Sequence, residues 1–254
     1  MADRPHLLIL GGTGEALALA DAARAGWRIT YSLAGRTQRP AVPEGVEVRT
    51  GGFGGADALA DWLRAEDVAA VVDATHPFAD TIAANAATAC DAAGVPRLKL
   101  LRPAWEPIAG DDWRDAANLA DAAMRLSGLG RDIFLSVGRQ DLDAFAGVSG
   151  KRFLVRTVDP LPAPPLAGAT CICGRGPFSV ADEISLLREY GIAAVVSKNA
   201  GGDATYAKIE AARSLGLPVV MIRRPAPPQG DKEGEIVEDA DAATNWLAGR
   251  RGRL

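Results

Sequence analysis

Short runs of consecutive aliphatic residues recur along the chain, and each ends in a turn rich in glycine or charge. Leu7 to Leu10, Val68 to Val72, Asp132 to Val137 and Ile192 to Val196 show little polar alternation, so each reads as a strand buried on both faces of a parallel sheet. The segments that follow the early strands change to helical spacing. Leu17, Leu19, Ala20 and Ala23 line one face before a stop at Gly26; Leu59, Trp62 and Leu63 do the same within 56–64; an alanine-rich stretch runs from Asp80 to Ala93. Strand and helix in alternation predict an α/β protein of doubly wound parallel sheets, where ligands bind beyond the carboxyl ends of the strands.

The stretch from His6 to Ala16, HLLILGGTGEA, is the most informative of these units. A buried strand, a glycine turn and a helix in that order bring backbone N–H groups to a close-approach loop, the arrangement that cradles a phosphate or pyrophosphate. Gly12 and Gly14 take the first two positions of G-x-G-x-x-G, but Leu17 stands where the third glycine belongs. Gly12, Thr13, Gly14 and Glu15 are therefore candidate cofactor contacts. The next strand, Trp27 to Ala34, ends in Gly35-Arg36-Thr37. A site for NAD places a carboxylate in this window; here Ser32 and Arg36 stand there instead, which suits the 2′-phosphate of NADPH. A third strand, Val46 to Thr50, runs into Gly51-Gly52-Phe53-Gly54-Gly55, a flexible crossover with Gly52 on the adenine side.

The strand Val68 to Val72 delivers Asp73-Ala74-Thr75-His76-Pro77-Phe78-Ala79 to the same predicted rim. Asp73, Ala74 and Thr75 are expected beside the cofactor, and His76, one of two histidines, is a candidate proton donor or orienting group. A structural, hydrogen-bonded histidine is the competing reading.

Val68 to Pro103 and Ile192 to Pro225 both run strand, polar loop, helix, Gly-Val-Pro or Gly-Leu-Pro, strand, Arg-Pro. This internal repeat predicts two Rossmann-like doubly wound domains, residues 1–110 and 111–254, with a helix from Asp115 to Leu126 as the connection and an interdomain cleft between their strand ends. The second half lacks the glycine fingerprint. Its strand ends carry Gly138-Arg139-Gln140, Arg156-Thr157, Gly174-Arg175-Gly176-Pro177-Phe178-Ser179 and Ser197-Lys198-Asn199-Ala200-Gly201-Gly202. Cations repeated at successive strand ends of an acidic protein expect an anionic ligand. Arg139, Arg175, Ser179, Lys198, Asn199, Gly201 and Gly202 are accordingly candidate substrate contacts.

Composition narrows the function classes. The 254 residues are 48% hydrophobic and 24% charged with a net charge of -4, ordinary globular material without the cationic excess of a nucleic-acid surface. No apolar run reaches the roughly 20 residues of a membrane span, and the N-terminus passes from MADRPH straight into a strand, so a cytoplasmic protein is expected. Three cysteines without a Cys or His cluster predict no metal site and buried free thiols.

Taken together, LILGGTGEA, SLAGR, DATHPFA, Arg102-Pro-Ala-Trp105, GRGPFS and SKNAGG resemble the precorrin-6A reductase family of cobalamin biosynthesis, in the family's order and over nearly the whole chain. The resemblance implies hydride delivery from NADPH to carbon 19 of the tetrapyrrole precorrin-6A, with proton addition at the neighbouring carbon, giving precorrin-6B. It also implies that the polycarboxylate substrate lies between the domains and meets Arg139, Arg175 and Lys198; other enzymes of the pathway are candidate partners. An anaerobic variant of the family reduces the cobalt-containing analogue, and the shared motifs do not separate the two. Two rivals are another NADP-dependent reductase and a non-catalytic NADP-binding module. A short-chain reductase needs Y-x-x-x-K, but Tyr31, Tyr190 and Tyr206 are followed four residues on by Gly35, Ala194 and Glu210.

Overall fold

The structure is a computed structural model that describes residues 4–161, 163–226 and 236–251. In chain order the elements are β1 (His6–Leu10), α1 (Gly14–Ala23), β2 (Arg28–Leu33), β3 (Glu47–Thr50), α2 (Ala56–Ala65), β4 (Val68–Asp73), α3 (Asp80–Ala93), β5 (Arg97–Leu100), β6 (Trp113–Ala116), α4 (Leu119–Arg125), β7 (Asp132–Ser136), a 3-10 turn (Arg139–Phe145), β8 (Arg152–Thr157), β9 (Thr170–Cys173), α5 (Val180–Glu189), β10 (Ala194–Lys198), α6 (Ala207–Ser214), β11 (Val219–Ile222), β12 (Ile236–Val237) and α7 (Ala240–Arg251). They form two units: unit 1 is residues 1–103 with 225–254, and unit 2 is residues 104–224.

Unit 1 contains a six-stranded sheet in the order β12-β5-β4-β1-β2-β3, parallel throughout. Its central strand explains the uninterrupted apolar run. Leu7 and Ile9 face a cluster with Leu19, Ala20, Ala243 and Leu247, while Leu8 and Leu10 face Leu59, Leu63, Ala86 and Ala89. Each fully buried leucine contributes about 1.5 to 3 kcal/mol. Alanines at 83, 86, 87 and 89 give α3 a thin buried face. That helix ends at Gly94, whose left-handed backbone (φ 68°) lets its N–H turn back to Asp91 O. Burial pushes the Cys90 thiol up to about 12.

Unit 2 repeats this order as β6-β11-β10-β7-β8-β9, again all parallel. Phe134, Val195 and Met221 pack against Leu187, Ile209 and Ala212 from α5 and α6. Asn118 and Ser179 cap α4 and α5 by accepting the N–H groups of Asp121 and Asp182.

The outermost strand of each sheet departs from the expected domain division. After β5 the chain leaves unit 1 and lays β6 beside β11; after β11 it returns and lays β12 beside β5. The same bond closes both junctions, since Leu101 N–H donates to Val237 O at 2.8 Å and Arg223 N–H donates to Ala116 O at 2.8 Å. Residues 225–254 thus belong with the first unit rather than with 111–254, because β12 completes its sheet and α7 covers α1. The expected helix from Asp115 to Leu126 begins instead as β6. Trp113 to Ala116 pair with Val219 to Ile222, and the helix starts only after Asn118 supplies its cap. Cys90 is buried as expected, but Cys171 and Cys173 are exposed, because β9 is an edge strand.

If α7 is part of the unit 1 core, Leu247→Ala should cost about 2 to 5 kcal/mol and accelerate amide hydrogen exchange in α1 and β5 while sparing β7 and β10. Faster exchange in β10 with β5 unchanged would place the helix wrongly.

Candidate active site

In each sheet the strand order reverses at one point, between β1 and β4 in unit 1 and between β7 and β10 in unit 2. Loops leaving neighbouring strands in opposite directions open a crevice there.

In unit 1 the two loops are tied together. Thr13 caps α1 by accepting the Ala16 N–H at 3.2 Å, and its hydroxyl donates to Ala74 O at 2.8 Å, while Ala74 N–H donates to Leu10 O. Gly12 has a left-handed backbone (φ 108°), and its N–H donates to the Tyr31 hydroxyl at 3.1 Å. A Cβ on Gly11 would overlap the Tyr31 ring, so Gly11 is required for packing, a role the fingerprint gives to its third glycine. Burial holds the Tyr31 phenol above its ordinary pKa, with the Gly12 N–H opposing. Among the described residues no protein acceptor takes the N–H groups of Gly14 and Glu15, and the space over Gly14 is open. These two donors and that opening are what a pyrophosphate needs.

The remaining unit 1 candidates divide sharply. Asp73 is fully enclosed: it accepts from Lys99 Nζ at 2.8 Å, from the Thr75 hydroxyl at 2.6 Å and from the Thr75 N–H at 3.1 Å. Asp73 and Lys99 are register partners on β4 and β5. Asp73, Ala74 and Thr75 are all buried, and the bonds from Thr75 to Asp73 hold the shape of the loop. His76 is exposed beyond them, and its Nδ1 accepts the Phe78 N–H at 3.3 Å, which leaves the proton of a neutral ring on Nε2. Glu15 pairs with Arg102 at 2.9 Å, and both line a narrow crevice with Thr13, Thr75 and Pro77. Ser32 is buried at the end of β2; Arg36 is exposed and makes no ion pair among the described residues. The glycine run is pinned, not loose. Arg49 donates to Gly51 O at 2.6 Å and Gly52 O at 2.9 Å and stacks on Phe53 at 3.7 Å.

In unit 2 the loops at the reversal point are joined by an ion pair, Lys198 Nζ to Asp141 at 2.7 Å. Lys198 is therefore a bridge between β10 and the 3-10 turn and not an unpaired cation. Asn199 is also committed: its Oδ1 accepts the Trp105 N–H at 2.8 Å and its Nδ2 donates to Trp105 O at 2.9 Å. Gly202 O accepts the Trp105 indole N–H at 2.8 Å, and Gly201 and Gly202 both have left-handed backbones that let the loop fold over the ring. Ser179 spends its hydroxyl capping α5. Arg139 and Arg175 are exposed on the rim, and Arg139 makes no ion pair among the described residues.

Below this rim lies a buried cluster. Arg156 on β8 forms a bidentate pair with Glu183 at 2.5 and 3.0 Å and stacks on Phe178 at 3.9 Å, and Lys208 lies 5.0 Å from the Trp105 ring. The sequence reading named none of Lys99, Arg49, Glu183 or Lys208. A signal existed for Lys99, because a lysine in a strand buried on both faces requires a counter-charge.

The family model described as Precorrin-6x reductase CbiJ/CobK matches residues 6–248. A precorrin-6A reductase of Rhodococcus erythropolis is 51% identical over 244 residues, covering 95% of this chain and 97% of the relative. One of Mycobacterium tuberculosis is 44% identical over 253 residues, covering 98% and 99%. A cobalt-precorrin-6A reductase of Priestia megaterium is 28% identical, covering 94% and 98%. The solved structure of CobK precorrin-6A reductase superposes with a TM-score of 0.88 at 42% identity, covering 97% of each chain.

The Asp73–Lys99 pair yields a stability test. Lys99→Met, which strands a buried carboxylate, should cost about 3 to 5 kcal/mol in urea unfolding, and adding Asp73→Asn should recover most of it. Additive losses would show that the two side chains do not depend on each other.

Proposed function

The chain belongs to the precorrin-6x reductase family, and from that membership we propose that it reduces precorrin-6A to precorrin-6B with NADPH, unit 1 holding the cofactor and unit 2 the tetrapyrrole. A reductase of cobalamin biosynthesis acting on a tetrapyrrole precursor requires a reducing cofactor, and the glycine turn of unit 1 is suited to a dinucleotide. Identity favours the metal-free substrate: the precorrin-6A reductases match at 43 to 51%, the cobalt-precorrin-6A reductases at 27 to 31%.

The observation that carries the division is the asymmetry of the strand ends. In unit 1 the N–H groups of Gly14 and Glu15 have no protein acceptor among the described residues and the space over Gly14 is open, whereas unit 2 has a cationic rim and lacks the glycine fingerprint. When bound, NADPH supplies the hydride. The chain's own work is orientation and desolvation. Gly12, Thr13 and Gly14 form the pyrophosphate turn, which Tyr31 and the Thr13 bridge to Ala74 hold in shape. Ser32 and Arg36 receive the 2′-phosphate, Gly52 lies on the adenine side, and Asp73 with Lys99 fixes the loop that presents His76. His76 is the proposed proton donor or orienting group for the substrate, and Arg139 and Arg175 take the substrate's carboxylates. No helix among the described residues is long and apolar enough to cross a membrane.

The cofactor reading predicts that Arg36→Ala weakens NADPH by about 1.5 to 3 kcal/mol, the value of a charge-assisted hydrogen bond, and leaves NADH nearly unchanged. Calorimetric titration of both cofactors checks this; equal losses would remove the 2′-phosphate role from Arg36.

A further inference from the structure

Lys208 occupies the first turn of α6, directly after the loop that leaves β10, yet it is only 3% exposed. An ammonium carries three donors. Here one of them reaches a protein acceptor, Thr205 O at 2.7 Å, and the amine otherwise lies against the face of Trp105. The charged groups that act on it are Arg156 from β8 and Glu183 from α5; Trp105 presents an uncharged ring and Thr205 a carbonyl.

Glu183 does not neutralise Lys208. Both of its oxygens are taken by Arg156. Protonating Lys208 therefore puts a second cation beside a carboxylate that Arg156 already holds, and burial together with Arg156 pushes the amine down to about 7 against the opposing pull of Glu183. The surroundings are built and not fluid. Asn199 and Gly202 fix Trp105, Phe178 stacks on Arg156, and Gly176 lies so close to Ala204 O that a Cβ there would collide. All of these groups stand at the carboxyl ends of the unit 2 strands, where the rim expects an anion.

We propose that Lys208 is a proton-linked counter-charge: a buried amine with one protein acceptor that takes up a proton from solvent when a substrate carboxylate settles on the strand ends of unit 2. This rests on the reading of unit 2 as the tetrapyrrole-holding body. The physics needs no direct contact, because a nearby carboxylate attracts the protonated amine and not the neutral one, and burial of the amine strengthens that attraction. Binding then raises the amine's pKa, and by linkage the substrate binds more tightly as pH falls from the bound-state value toward 7, levelling off below it. The substrate carboxylates stay ionised across this range.

The test is calorimetric binding of precorrin-6A, without cofactor, in pairs of buffers with different ionisation heats, together with a 15N titration of the lysine amines in the ligand-free protein. Wild type should take up several tenths of a proton per substrate at pH 8 and bind at least about fivefold more tightly at pH 6.5 than at pH 8. Lys208→Met and Lys208→Arg should each abolish the uptake and flatten the pH profile, the first by removing the charge and the second by fixing it. NADPH affinity should show no Lys208-dependent change with pH. Uptake that survives in either variant, or a Lys208 amine still protonated at pH 8 in the ligand-free wild type, would overturn the proposal. If wild type binds NADPH but not precorrin-6A, the reading of unit 2 itself falls and takes the proposal with it. If Lys208→Met does not fold, Lys208→Arg and the wild-type titration still decide.

Discussion

Every strand pairing among the described residues is parallel. This constraint governs the rest of the structure, because parallel strands need crossovers, crossovers cover both faces of the sheet, and all the following loops emerge at one end. It is why the central strands are aliphatic on both faces. It is also why side chains as distant in sequence as Thr13, Asp73 and Lys99, or Asp141, Lys198 and Trp105, share a rim.

The same constraint gives the strand exchange its logic. A parallel sheet can be extended at its edge only by a strand arriving from the opposite end, and here each outermost strand, β6 or β12, follows directly in sequence on a strand of the other unit. The two helices that follow, α4 and α7, each come directly after a sixth strand. The chain therefore passes between the units twice, so that unit 1 is built from two separate stretches of sequence and unit 2 from one.

Much of this was legible from the residues. The aliphatic runs announced β1, β4, β7 and β10, and the polar residues after them did converge at the reversal points. The exchange was not legible, since Trp113 to Ala116 lacks an aliphatic run and β12 is only Ile236–Val237. Charge pairing was the other gap. Counting cations at strand ends put Lys198 on the same footing as Arg139, but Asp141 neutralises one and not the other, a difference set by where the 3-10 turn folds. The hydrogen-bonding groups of Asn199 and Ser179 serve the backbone of Trp105 and the cap of α5, which their position after a strand did not reveal. Burial decides such cases, and burial depends on tertiary packing that spacing does not encode.

In the proposed function, cofactor and substrate are held by different units. The most direct measurement compares Arg139→Ala with wild type in two separate titrations, NADPH without substrate and precorrin-6A without cofactor. The division predicts that NADPH affinity stays within about twofold while precorrin-6A affinity falls by roughly 1 to 3 kcal/mol, less if the paired carboxylate remains in water. Loss of NADPH binding in a folded Arg139→Ala protein that still binds precorrin-6A would contradict it.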